Sequence, residues 1–192
     1  MASIFVISAP SGAGKSSLIR RIMQRFPGMV FSVSVTTRKP RPREQEGREY
    51  FFKTREVFEA MLRRNELAEW QEVHGNYYGT PKRFITDALA QGRDVIMDID
   101  VYGKKKFDVA FPEAVGIFIN APSIAELEAR LRRRNTDSDE AIATRLKNAI
   151  AEIDVARTQG KYEHTVINDS LERATDELAA IISQQRGTKG AP

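Results

Sequence analysis

A chain of 192 residues with 41% hydrophobic and 29% charged side chains can bury a core without disulfides or a structural metal. The absence of cysteine excludes disulfide frameworks, thiolate catalysis and Cys-based metal sites, and no apolar run approaches the ~20 residues needed to cross a bilayer. Thirty Lys and Arg against 26 Asp and Glu leave +4, too small an excess to favour a nucleic-acid binder and suited to an enzyme of phosphorylated small molecules.

The apolar run Ser3-Ile-Phe-Val-Ile-Ser8 reads as a buried strand. It is too short for the core of a signal peptide, and the next residues are Gly-rich and end in Lys15, so a cytoplasmic location is expected. A turn leads into a helix over 16–25, with Leu18, Ile19 and Ile22 on its inner face. Residues 29–34 read as a second strand and 38–47, with two prolines and many charges, as a loop. A short strand fits 49–53. An amphipathic helix fits 55–65, with Val57, Phe58, Met61 and Leu62 inward. Thr80-Pro81 reads as an N-cap with proline at the first helical position, opening a helix that buries Ile85 and Leu89 and stops at Gly92.

Residues 94–100 form an apolar strand that runs into Asp98 and Asp100, and 114–120 another buried strand. Lys104, Lys105 and Lys106 read as surface charge, and His74 and His164, without metal-like spacing, as structural. Ser123-Ile-Ala-Glu126 is a capping box for a helix through Leu127 and Leu131. The polar stretch 132–140 precedes a helix carrying Ile142, Leu146, Ile150 and Ile153. A last strand over 164–168 leads to a helix capped by Asp169-Ser-Leu-Glu172, and the tail from Arg186 reads as frayed. Strands alternating with helices predict an α/β fold around a parallel sheet. The stretch from about 34 to 81 breaks the alternation and reads as an insertion.

Ala9-Pro-Ser-Gly-Ala-Gly14-Lys15-Ser16, between a strand and a helix, has the context of a P-loop. Gly12 and Gly14 let backbone N–H groups and the helix N-terminus wrap a phosphate. Lys15 reaches the β- and γ-phosphates, and the Ser16 hydroxyl ligates Mg²⁺. Ala9 stands where the general pattern has Gly, a small enough side chain for the loop to form. The cradle predicts a nucleoside triphosphate without naming the reaction. No Asn-Lys-x-Asp guanine reader is present, which excludes a GTPase. Arg38 and Arg41, three apart in a Pro-containing loop and followed by Glu44 and Tyr50, make a fork for a second phosphate. Glu69, Tyr78 and Thr80 add a carboxylate and hydroxyls.

These motifs, with Gly-Asn-Tyr-Tyr78-Gly-Thr80, Asp98-Ile-Asp-Val-x-Gly103 and the Arg-rich stretch after Leu127, fall in order over residues 3–182 and resemble guanylate kinase. The resemblance implies a three-layer α/β/α P-loop core (about 1–33, 83–125 and 148–186), a GMP-binding insert (about 34–82), a mobile lid (about 126–147) and a tail at 187–192. It implies transfer of the γ-phosphoryl group of ATP to GMP and dGMP, with Mg²⁺, in purine metabolism, with no nucleic-acid or membrane partner. The ATP side comprises Ala9, Pro10, Ser11, Gly12, Ala13, Gly14, Lys15, Ser16, Ser17 and, toward adenine, Asn168. The GMP phosphate falls to Arg38, Arg41, Tyr50 and Tyr78, with Glu44 also on the GMP side, and the guanine to Ser34, Glu69 and Thr80 with Asp98 nearby. Arg130, Arg134 and Arg145 match the lid arginines that join Lys15 and Arg38 in catalysis; Asp98 and Asp100 position Mg²⁺ through water.

Two positions depart from the family. Arg43 stands where Gly is usual, and Tyr102 replaces the usual Gln. A kinase of a ribose phosphate would not need Glu69, Ser34 and Thr80 together, and a peptide-binding relative would not need the full P-loop.

Overall fold

The computed structural model describes residues 2–73, 75–133 and 138–188. β1 (Ile4–Ser8) is five consecutive buried residues, as a strand covered on both faces requires. Then come α1 (Lys15–Arg25), β2 (Val30–Phe31), β3 (Val35–Thr36), β4 (Phe51–Phe52), α2 (Arg55–Arg63), β5 (Leu67–Val73), β6 (Asn76–Pro81) and α3 (Lys82–Ala90). They are followed by β7 (Val95–Asp98), α4 (Val101–Ala110), β8 (Val115–Asn120), α5 (Ile124–Arg133), α6 (Asp139–Gln159), β9 (His164–Ile167) and α7 (Leu171–Thr188).

The larger sheet is parallel throughout, in the order β2-β7-β1-β8-β9. Alternation along β1 builds the three layers. Phe5 and Ile7 pack with Ile22 of α1 and Leu178 and Ile182 of α7, while Ile4 and Val6 pack with Ile85 of α3 and Phe107 of α4. β1 lies where the strand order reverses, and a crevice at the C-terminal ends of such strands is where open α/β sheets bind ligands. The smaller sheet, in the order β4-β3-β6-β5, rests on α2 through Phe58, Val35 and Leu67. Among the described residues no helix is long and apolar enough to cross a membrane.

Several expectations are corrected. The strand read over 29–34 is shorter, with only Val30 and Phe31 joining the large sheet, and a separate strand of the small sheet, Val35 and Thr36, follows it. The β5–β6 hairpin and α4 went unread. Val57 is exposed (44%) instead of inward. Thr80 does not cap α3; Pro81 is the N-cap, with no side-chain cap hydrogen bond. Lys104 is not surface charge: it is fully buried, its ammonium 2.5 and 2.7 Å from the Asp108 carboxylate oxygens and 2.9 Å from the Lys161 carbonyl. Instead of fraying at Arg186, α7 runs to Thr188, with Arg186 2.8 Å from Asp94. Its first turn is capped by Ser170, whose hydroxyl accepts from Arg173 N–H. His74 lies outside the described residues.

Candidate active site

The phosphate loop is set by two glycines in the left-handed region, Gly12 (φ 94°) and Gly14 (φ 91°), where other residues are strained. The turn is closed by Ala13 N–H donating to the Pro10 carbonyl at 3.1 Å. Gly14 is the N-cap of α1 and offers no side chain to the first-turn N–H groups, and that turn carries no acidic residue. The positive end of the helix therefore faces the loop's interior. Gly12 packs on Leu127 and Leu131 of α5. Asn168, buried at the end of β9, donates its amide to the Ala13 carbonyl at 2.7 Å, and a side chain on Gly14 would overlap that amide. Asn168 thus braces the loop from below.

The resulting cavity of about 330 Å³ is walled by Ala9–Gly12, Gly14, Lys15, Ser16 and Ser17, with Asp100 and Glu152 opposite. Lys15 Nζ lies 3.5 Å from Asp98 Oδ2, and both side chains are partly open to solvent. Ser16 is exposed. Asp100 is half-buried: its Oδ1 caps α4 by accepting from Tyr102 and Gly103 N–H (2.9 and 2.8 Å), and its Oδ2 accepts from the Gln71 amide. Burial raises the Glu152 carboxyl, with Asp100 adding to the effect, against the Ser11 N–H and Lys15.

A second cavity of about 300 Å³ shares Lys15 and Asp100 with the first and is completed by Ser34, Tyr50, Glu69, Gln71, Tyr78 and Asp98. Glu69, 7% exposed, accepts from the Thr80 hydroxyl at 2.6 Å. Burial pushes its carboxyl up to about 7, Asp100 adds to this, and the Thr80 bond opposes it. Gly103 makes room here: a Cβ would lie 2.9 Å from Glu69 Oε2 and 2.7 Å from Ile99 Cγ2.

At the cavity's other end Arg38 Nη2 donates to both Glu44 oxygens (2.9 and 3.0 Å), and Glu44 also accepts from Arg41 N–H at 2.7 Å. The Arg38 guanidinium sits 5.5 Å from the Tyr50 ring centroid, with Tyr50 edge-on to Tyr78 at 5.8 Å. Arg38 Nε is shielded and without a partner among the described residues. The Arg41 side chain is exposed. A neighbouring cavity of about 500 Å³ joins Ser16, Ser34, Tyr50 and Asp98 to Arg48 and Glu49.

Of the arginines after Leu127, Arg130 is bonded to Glu126 (2.7 Å) and to the Asn168 carbonyl (2.8 Å), tying α5 to the end of β9. Arg145 is half-buried on α6, and Arg134 lies outside the described residues. Gln71, Gly103, Arg48 and Glu152 were missed in the sequence. Gln71 shares a strand face with Glu69 at i, i+2, and that signal needed β5 to be recognised first.

Residues 1–185 match the family model described as Guanylate kinase. The chain is 51% identical to a guanylate kinase of Koribacter versatilis over 96% of its own length and 79% of the relative's. It is 47% identical to one of Dechloromonas aromatica, covering 94% and 88% of the two chains. The crystal structure of guanylate kinase from Anaplasma phagocytophilum superimposes with a TM-score of 0.73 at 33% identity, covering 96% of this chain and 86% of the other.

Proposed function

The chain belongs to the guanylate kinase family, and from that premise we propose how its residues divide the work of moving the γ-phosphoryl group of ATP onto GMP. The observation that carries the division is the pair of cavities meeting at Lys15 and Asp100, one ending in an anion cradle and the other in the buried Glu69.

Residues 34–82 act as the acceptor subdomain. Guanine presents N1–H and N2–H₂ donors that the Glu69 carboxylate accepts together, with Thr80 holding that carboxylate in place and the Ser34 hydroxyl reaching O6. Adenine would set its N1 lone pair against the same oxygens. The GMP phosphate docks on Arg38, oriented by Glu44, with Arg41, Tyr50 and Tyr78 around it. dGMP fits the same contacts.

The acceptor is a phosphate oxygen, already ionised near neutral pH, so no general base is required. Catalysis is alignment and charge neutralisation. Lys15 and the loop N–H groups hold the triphosphate, and Arg38 reduces repulsion between the two anions. Residues 126–147 act as the lid, bringing Arg130, Arg134 and Arg145 over the phosphates and excluding water. Arg130 would exchange its present partners for phosphate.

Among the described residues no three His, Cys, Asp or Glu gather into a metal site. Ser16 and Asp100 line the cradle, and Asp98 shares a neighbouring cavity with Ser16; they fit a magnesium ion that takes most of its oxygens from phosphate and water, the exposed Ser16 hydroxyl directly, and Asp98 and Asp100 through water. Bound there, the ion would neutralise charge between the β- and γ-phosphates.

Coupled ADP release from ATP·Mg²⁺ with GMP, AMP, CMP and UMP side by side tests the reading. Strong turnover with GMP alone is expected. Equal or absent turnover with all four, in a folded protein that binds ATP, would overturn it.

A further inference from the structure

We propose that Glu152 is a positioning residue that docks α6 on the phosphate loop and thereby sets where Arg145 reaches. The inference rests on the reading of Arg145 as a phosphate-facing residue.

Glu152 is a carboxylate that, with Asp100, stands in the wall of a cavity whose other lining is the phosphate loop. A free glutamate would turn outward from such a place, because it repels the ligand that the loop attracts. Glu152 instead stays half-buried, with Oε2 shielded from solvent and without a hydrogen-bond partner among the described residues. It lines one cavity with Ser11, Lys15 and Asp100; the Ser11 N–H and Lys15 favour its charge, and Asp100 opposes it.

The helix is seated by small residues on either side of Glu152. Ala149 is buried in the cluster with Phe5 and Ile117, and Ala156 in the cluster with Phe118 and Val101. Arg145 lies seven residues before Glu152, two turns or about 10.5 Å along the axis, on the same helix face. α6 begins at Asp139, so its first turns, with Arg145, belong to the segment 126–147, and Glu152 lies just beyond it. The place of Glu152 beside Ser11 and Lys15 in one cavity wall fixes the position of the helix against the cradle. Arg145 is carried from that fixed point.

The test is a double-mutant cycle with KM for each nucleotide measured separately. Glu152→Ala should lower kcat/KM for ATP by roughly 30-fold and leave KM for GMP within about twofold. Glu152→Gln, which keeps an acceptor oxygen, should recover most of that loss. In an Arg145→Ala background Glu152→Ala should cost less than about threefold, because the group it places is already gone. Losses that multiply, or a Glu152→Gln as impaired as Glu152→Ala, would overturn the inference and leave Arg145 in place. An Arg145→Ala with parental turnover would overturn both. Should Glu152→Ala fail to fold, Glu152→Asp retracts the carboxylate by one methylene and carries the same expectation.

Discussion

Glu69 and Thr80 face each other across the β5–β6 pair because a register shift between Leu67 and Glu69 brings the two into line. The extra residue of the bulge re-aims the carboxylate. The Thr80 hydroxyl then reaches Glu69 Oε1 at 2.6 Å, and eleven residues of chain separate a recognition group from the group that orients it.

This carboxyl gives two pH effects of opposite sense. Its folded value, about 7, stands above the ordinary 4.5. The folded chain therefore holds this proton more tightly than the unfolded chain, and the group's contribution to stability falls as pH rises from 4.5 to about 7. Chemical denaturation of Glu69→Gln against the parent should shift in the variant's favour by on the order of 2 kcal/mol between pH 5 and 8. GMP selects the ionised form, so KM for GMP should rise as pH falls below 7, by up to about tenfold per unit. The Gln variant should lack this component.

Gly103→Ala should damage acceptor recognition. The new Cβ would meet Glu69 Oε2 and Ile99 Cγ2 at under 3 Å. The helix gains about 1 kcal/mol of propensity, yet KM for GMP should rise roughly tenfold or more as Glu69 moves. KM for ATP, measured in the same assay, should stay within about twofold.

Arg43 has φ 79° in the acceptor loop, a left-handed conformation that costs a non-glycine residue about 1–2 kcal/mol. A glycine would adopt that conformation without strain. Arg43→Gly relieves the strain and adds about 0.5–1 kcal/mol of unfolded-state entropy. The unfolding free energy should rise by a net of up to about 1 kcal/mol, read as a higher urea midpoint. A lower midpoint would mean that the arginine side chain holds the loop.

Lys104→Met should destabilise the fold by about 3 kcal/mol, since it leaves the largely buried Asp108 carboxylate without its partner. Lys105→Ala, one residue away and exposed, should change the melting temperature little.

The same residues show what a sequence can disclose. β1 and the phosphate loop were readable because an unbroken apolar run meets glycines and Lys15 within a few positions. β5 was not, because Glu69 and Gln71 on its inward side face a cavity and read as polar breaks in a strand. α4 was obscured by Gly103, needed for its closeness to Glu69, and by Lys104, whose burial depends on Asp108 one turn later. Arg38 and Arg41 were legible as a fork in a loop, but the bond from Arg38 to Glu44 was not; nor was Glu152, since its place beside Ser11 depends on the long-range packing of α6.

The most direct test of the account compares kcat/KM for GMP and AMP in the parent and in Glu69→Gln. A buried carboxylate matched to guanine donors predicts a parental preference of about 10⁴ or more. With the amide in its place, that preference should fall by at least about a hundredfold while KM for ATP holds. A ratio that survives the substitution would contradict the account and move guanine recognition elsewhere in the cavity.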